Sequence, residues 1–191
     1  MTWPWPEGEA WRVSGTHDGP YNEGVWSALD MLDGKGRCNW IRNRNCTEDT
    51  PLVYSMFSGT VDFVTNCKLS IVHSTGWAID YYHMDKIMVK PGQKIKKNQP
   101  IGRYAGNYKT ALCHGGYTIK PHLHIDLVNP SGTYASLDGR KINGYKIKAG
   151  IKDYDTNCNR SYFKKNGKKY CPSGYGKNGD KILHMHENIS K

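Results

Sequence analysis

Hydrophobic positions in this chain come in short alternating runs rather than at the three-to-four spacing of a helix. Runs at 59–64, 68–73, 76–84, 87–89 and 122–128 predict β-strands. Within 68–73, Leu69, Ile71 and His73 share one face and Ser70 and Val72 the other; within 76–84, Ile79, Tyr81 and His83 share a face. In Pro121-His122-Leu123-His124-Ile125-Asp126-Leu127, the residues His122, His124 and Asp126 face one way while Leu123, Ile125 and Leu127 turn to the core. The stretch from Val89-Lys90-Pro91-Gly92-Gln93 to Pro100-Ile101-Gly102 reads as a turn, a strand and another turn. Residues 140–175 predict two more strands, with a turn at Asn166-Gly167. Before residue 50, the opening Trp3-Pro4-Trp5-Pro6 and the breaks at Gly15, Gly19-Pro20, Gly24, Gly34 and Gly36 predict loops laid over a core. Beyond Cys171 the Gly-, Lys- and Asn-rich tail is expected to be loosely held. The predicted fold is therefore mainly β: an antiparallel sheet or barrel-like sandwich core, with long loops forming a groove and few or no helices.

Composition supports strands over a helical bundle, since leucine is scarce among 37% hydrophobic residues while Gly, Tyr, Asn and Thr are plentiful. A length of 191 residues fits a single domain. No apolar run approaches the roughly 18 to 20 residues of a membrane span, and the first residues lack the basic and apolar regions of a signal peptide, so a soluble, mature form with an added start methionine is expected. The net charge of +10 raises the question of a polyanionic partner. Nucleic acid is not supported: the lysines lie in short runs such as 94–97 and 164–169, and no helix-turn-helix, zinc-finger or RNP pattern accompanies them. Anionic cell-wall polymers and a plain lysine-coated surface remain. Six cysteines without a CxxC pair point to disulfides rather than zinc or thiol exchange. Local pairing suggests Cys38 with Cys46 and Cys158 with Cys171, which leaves Cys67 with Cys113; such bridges point to an extracellular or periplasmic address, whereas six buried thiols would place the chain in the cytosol.

The His122-x-His124 pair stands two imidazoles side by side on one strand face. A zinc hydrolase needs three protein ligands and an open position, because the ion has to bring the pKa of water down to about 7. His17, in Ser14-Gly15-Thr16-His17-Asp18-Gly19, sits in a glycine-flanked loop where core packing is hard to arrange. Asp30 ends the largely apolar Gly24-Val25-Trp26-Ser27-Ala28-Leu29-Asp30, where a carboxylate without a cation would be costly. Asp18 and Asp33 are competing carboxylates, and His83 closes an apolar strand. A second HxH pair, His184 and His186, lies in the tail with no strand pattern around it and reads as non-functional.

Several blocks appear together in order: His17 with Asp30 thirteen positions on, Gly76-Trp77-Ala78 leading to Tyr81-Tyr82-His83-Met84-Asp85, Tyr104-Ala105-Gly106-Asn107, Thr110-Ala111-Leu112-Cys113 and Pro121-His122-Leu123-His124. In combination they resemble the lysostaphin-type zinc metallopeptidases, nearest the staphylolysin and beta-lytic branch, from about residue 11 to 171. The resemblance implies one Zn2+ per chain held by His17, Asp30 and His124, with His83 and His122 flanking the attacking water. It implies tyrosines at 82 and 154 near the substrate carbonyl, whose alternative reading is core or rim packing, and bridges Cys67–Cys113 and Cys158–Cys171. A single peptidase domain is expected over 1–191: a loop-rich part at 1–50 with two metal ligands, a β core at 51–139, and C-terminal strands and a tail at 140–191.

The expected activity is that of a secreted monomeric endopeptidase, possessing no membrane span, that cuts glycine-rich bonds in peptidoglycan cross-bridges and in elastin-like protein. Two other readings exist: a catalytically inactive wall-binding module of the same fold, and a lipoyl-carrier-like barrel suggested by 89–93. The first requires loss of a site residue, and none is lost; the second leaves the histidines and cysteines unexplained. Three departures stand out. Lys120 replaces the glycine usual before Pro-His-Leu-His, the basic segment around Cys38 and Cys46 has no counterpart, and Asp126 lies on the metal face as an outer partner for a histidine N–H or as a solvated carboxylate.

Overall fold

The computed structural model describes residues 1–19, 24–33, 35, 45–107, 110, 121–174 and 179–185. Cys38, Cys113, Lys120, His186 and most of the basic segment before Cys46 lie outside the described residues. The architecture is almost wholly β and its strand pairs are antiparallel, as the alternating pattern predicts. Helical structure among the described residues is limited to a 3-10 turn at Thr47–Asp49 and to Thr110.

Among the described residues, fifteen strands form three sheets. The largest contains β1 (Ala10–Val13), β2 (Ala28–Leu32), β4 (Gly59–Val64), β5 (Lys68–Val72), β6 (Ala78–Tyr82), β8 (Lys94–Ile95), β10 (Leu123–Val128) and β15 (Lys181–Leu183), in the order β15-β1-β2-β10-β6-β5-β4-β8. A second sheet joins β3 (Leu52–Tyr54), β9 (Pro100–Tyr104) and β7 (Met84–Asp85). The third runs β11 (Lys141–Ile142), β12 (Tyr145–Lys148), β13 (Tyr162–Lys165) and β14 (Lys168–Tyr170).

Register in the large sheet separates a polar from an apolar face. Leu29, Ile125, Tyr81 and Leu69 lie opposite one another across β2, β10, β6 and β5, and all are fully buried. One residue away, Asp30, His124, Tyr82 and Lys68 form the corresponding row on the other face. A slip of one residue on β10 would send His124 into the core and Ile125 to the metal face, so the register is held by some 1.5–3 kcal/mol per buried aliphatic side chain.

The structure corrects several expectations. The N-terminal part is not merely loops: β1 and β2 are interior strands of the large sheet. Trp3, Trp5 and Trp11, all fully buried, stack at 4.9 and 5.2 Å between ring centroids; Trp3 touches Tyr145 and Phe163 of the third sheet and Trp11 touches Tyr104 of the second. Proline between the first two rings breaks periodicity but leaves them free to pack. The described part of the tail at 179–185 is not loose: β15 pairs with β1 and the buried His184 meets the Trp5 carbonyl through Nδ1 at 2.5 Å. Residues 87–89 form no strand, and 140–175 hold four strands rather than two. Two of those strand pairs turn on Asn143-Gly144 and Asn166-Gly167, where every residue has positive φ (48°, 75°, 48° and 78°), as tight hairpins of this kind require.

Candidate metal centre

Three elements converge on the polar face of β10. His17 lies on the loop after β1 and is tied to β2 by paired backbone bonds with Ala28. Asp30, in mid-β2, donates its N–H to Ser14 Oγ and accepts from Ser14 N–H, which locks the loop to the strand. His124 stands opposite Asp30 on β10. The ligand atoms of His17, Asp30 and His124 all lie within 4.8 Å of one another, and each residue is less than 9% exposed.

Hydrogen bonding settles which nitrogen each histidine presents. His17 Nδ1 is 2.8 Å from the Asp18 carbonyl, which can only accept, so Nδ1 carries the proton and Nε2 faces Asp30 Oδ1 at 3.3 Å. His124 donates Nε2–H to Asp126 Oδ2 at 2.8 Å and turns Nδ1 to Asp30 Oδ1 at 3.0 Å. Asp126 is fully buried and also accepts from Ser27 Oγ at 2.7 Å. Both imidazoles thus have the outer hydrogen bond that orients a metal-binding histidine.

Electrostatics keep both carboxylates of the cluster, Asp30 and Asp126, ionised. Burial by itself raises the Asp30 carboxyl pKa, but the charges of His122 and His17 and hydrogen bonds from His122 and His124 override it and hold the group well below the usual carboxylate range. Burial likewise opposes protonation of His124, and Asp126 and Asp30 overcome it, raising its pKa to about 10. The nitrogens of His17 and His124, 3.3 and 3.0 Å from one Asp30 carboxylate oxygen, make with it an N,N,O donor set suited to zinc, and His122 Nε2 stands 3.5 Å from the same oxygen.

Two further histidines adjoin the cluster. His122 immediately precedes β10, with Nε2 3.5 Å from Asp30 Oδ1. His83 does not follow the alternation that would group it with Ile79 and Tyr81. Its φ of 57° breaks the strand between β6 and β7, and its ring stands 4.7 Å from His122 and 5.8 Å from His124. Tyr82 sits opposite His124, ring to ring at 5.1 Å, and its hydroxyl is 2.9 Å from that of Tyr134, a partner that sequence reasoning missed. Burial and this bond push the Tyr82 phenol far up, so it stays protonated. Tyr154, also at positive φ (52°), stacks on His17 at 4.2 Å.

The Tyr154 loop is built to reach His17. A Cβ on Gly15 would lie 2.6 Å from the Asp155 carbonyl oxygen, so only glycine permits this approach. Tyr154 N–H donates to the Thr16 carbonyl and Asp18 N–H to Asp153. Asp155 anchors the loop: burial would raise its pKa, but Arg160 and the N–H groups of Asn157 and Ile151 lower it to about 2. Because the folded value lies below the unfolded one, this stabilisation is complete above about pH 4 and is lost as pH falls toward 2. Asp155→Asn is therefore expected to cost about 2 kcal/mol in denaturant melts at pH 7, with the gap to the native chain closing at pH 2.

The competing carboxylates lie elsewhere. Asp18 accepts backbone N–H groups of Gly19, Gly24 and Val25, and Asp33 accepts from Tyr104 and from Lys35 N–H. Cys158 and Cys171 are bridged; Cys46 and Cys67 are also disulfide-bonded, and their expected partners Cys38 and Cys113 lie outside the described residues.

An almost all-β fold with an interior strand carrying HxH opposite an aspartate defines a metallopeptidase class, and peptidase family M23 matches residues 43–143. The chain belongs to that family. It is 36% identical over 163 residues to protease LasA of Pseudomonas aeruginosa, covering 85% of this chain and 37% of LasA. To the beta-lytic metalloendopeptidase of Lysobacter enzymogenes it is 33% identical over 179 residues, covering 92% of this chain and 94% of that protein. Among solved structures, the M23 metalloprotease pseudoalterin from the deep sea superposes with a TM-score of 0.78 at 34% identity, over 90% of this chain and 94% of that one. The chain thus spans little more than a third of LasA but nearly all of the Lysobacter enzyme. His17 and Asp30 precede the family match at 43–143.

Proposed function

We propose that this chain is a secreted zinc metalloendopeptidase that hydrolyses glycine-rich peptide bonds, chiefly in peptidoglycan cross-bridges and also in elastin-like sequence. The observation that carries this reading is the convergence of His17 Nε2, Asp30 Oδ1 and His124 Nδ1 beside a second pair of imidazoles, His83 and His122. One zinc ion held by the three ligands would act as a Lewis acid on the scissile carbonyl and supply a hydrolytic nucleophile at neutral pH.

The remaining residues handle protons and position. His122 and His83 form a unit in which one imidazole takes the proton of the attacking water and the other donates an N–H to the developing oxyanion. Tyr154, stacked on His17, offers a phenolic donor at the rim. Tyr82 packs against His124, its hydroxyl bonded to that of Tyr134. Aromatic rings on both flanks favour a substrate with no side chain at the scissile bond. Disulfides at Cys46, Cys67 and Cys158–Cys171 favour an oxidising, extracellular compartment, and the +10 charge favours an anionic wall.

The test is cleavage of oligoglycine peptides and of walls with oligoglycine bridges, with and without chelator, and with soluble elastin as a separate arm. Activity is expected to vanish with chelator and return with zinc. Folded, zinc-loaded protein without chelator-sensitive cleavage of any glycine-rich substrate would refute the reading.

A further inference from the structure

Of the net +10, +8 falls within residues 140–170, which hold ten lysines and arginines against two aspartates. The third sheet arranges this charge in a line. Lys141 lies opposite Lys146, Lys146 opposite Lys164, and Lys164 opposite Lys169, so four lysines stand in one row across all four strands. All four are exposed, while Ile142, Tyr145, Ile147 and Phe163 turn inward to the core. With strands about 4.8 Å apart, the row spans about 14 Å.

Like charges directly opposite one another destabilise a sheet, and here three such pairs occur in succession. Neutralisation is sparse. Lys148, next to the row, reaches Asp138 at 3.4 Å, and Lys169 lies over the Tyr162 ring at 4.3 Å. Lys141, Lys146 and Lys164 have no carboxylate partner among the described residues. The face is also concave: Lys146, Lys148, Tyr162 and Lys164, with Asp138, line a pocket of about 330 Å³.

We propose that this lysine row docks the chain on a linear phosphodiester polymer of the bacterial cell wall. A single file of ammonium groups matches the backbone charges of one extended polyanion. A membrane surface fits less well, because the exposed large apolar residues Met88, Ile151, Leu183 and Met185 all lie outside β11–β14, leaving no side chain on the face to insert. Nucleic acid fits less well too, because the Tyr162 ring is covered by Lys169 and the row contains no arginine to read a base edge. The choice of a wall polymer rests on the wall-directed function proposed above. Because the β12–β13 connection carries Tyr154 to His17, a polymer held on the row keeps the metal centre close to the wall and raises the local concentration of cross-bridges.

The probe is purified poly(glycerol phosphate), titrated into the full chain at low and moderate salt. Binding is expected to weaken steeply with salt, and the variant K141Q/K146Q/K164Q/K169Q to bind at least about tenfold more weakly. A control of equal charge, K90Q/K94Q/K96Q/K97Q, should change affinity by less than about threefold. Relief of cross-strand repulsion should raise the melting midpoint of the row variant by about 2–4 °C. Equal loss in the control, tighter binding to an oligonucleotide or to phosphatidylglycerol vesicles of the same charge concentration, or no binding by the native chain would overturn the proposal. Hydrolysis of a soluble oligoglycine peptide is expected to be the same in both variants. If polymer binding fails while that hydrolysis persists, only the docking face is refuted; if the chain cuts no peptide yet binds through the row, only the peptidase reading is.

Discussion

Asp30→Ala is expected to yield a folded protein that no longer retains zinc after gel filtration and has no measurable hydrolysis, whereas Asp33→Ala keeps its metal. Among the described residues, Asp30 Oδ1 is the carboxylate oxygen that lies within 3.5 Å of all three of His17, His122 and His124, so its removal leaves the three imidazoles without the carboxylate they share. The loss of affinity should exceed the roughly 10–100-fold that removing an outer partner of a metal ligand costs. The fold should survive, because β2 is tied to Ser14 through the Asp30 backbone, which alanine retains. Asp33 lies three residues on, just past the end of β2, where it accepts from Tyr104 Oη–H and Lys35 N–H. Asp33→Ala should cost about 1–3 kcal/mol of stability and leave zinc in place. Metal analysis and chelating-dye competition on both variants decide the matter; zinc lost from Asp33→Ala and kept by Asp30→Ala would reverse the ligand assignment.

The distinction between these two aspartates was only partly legible in the sequence. Strand alternation placed His122, His124 and Asp126 on one face of β10, since its period of two depends only on local backbone geometry. The Asn166-Gly167 turn of the third sheet is legible because its two residues accept the positive φ that a tight hairpin needs. Contacts distant in sequence were not. Trp3 and Trp5 sit among prolines and glycines that break every periodicity, yet they fill the space between sheets, a matter of volume rather than pattern. His184 belongs to a tail whose composition suggests disorder, and only its pairing with β1 and its bond to Trp5 bury it. Tyr134 could not be paired with Tyr82 from sequence, because a loop residue carries no register signal until the sheet is assembled. The lysine row was visible only as scattered runs, since its order exists across strands and not along them.

His83→Ala is expected to keep its zinc and lose about 10²–10⁴ in kcat, the range that a positioned proton-transfer group supplies. Strict alternation along β6 would bury this side chain with Ile79 and Tyr81. A left-handed backbone at His83 turns it instead toward His122, and the neighbouring chain fixes that turn: the Ala105 N–H donates to the His83 carbonyl and the Met84 N–H to the Cys67 carbonyl. A non-glycine residue held at positive φ costs of order 1–3 kcal/mol, a cost that the imidazole's placement at the cluster explains. Two variants separate chemistry from backbone. His83→Gly, which relieves the strained φ, should be at least as stable as His83→Ala and just as inactive, because both lack the ring. If glycine restored activity, the strain rather than the imidazole would be the functional element. If alanine lost zinc along with activity, His83 would be a ligand rather than a proton-transfer group. Equal loss in His122→Ala and no further loss in the double variant would establish that the two imidazoles act as one unit.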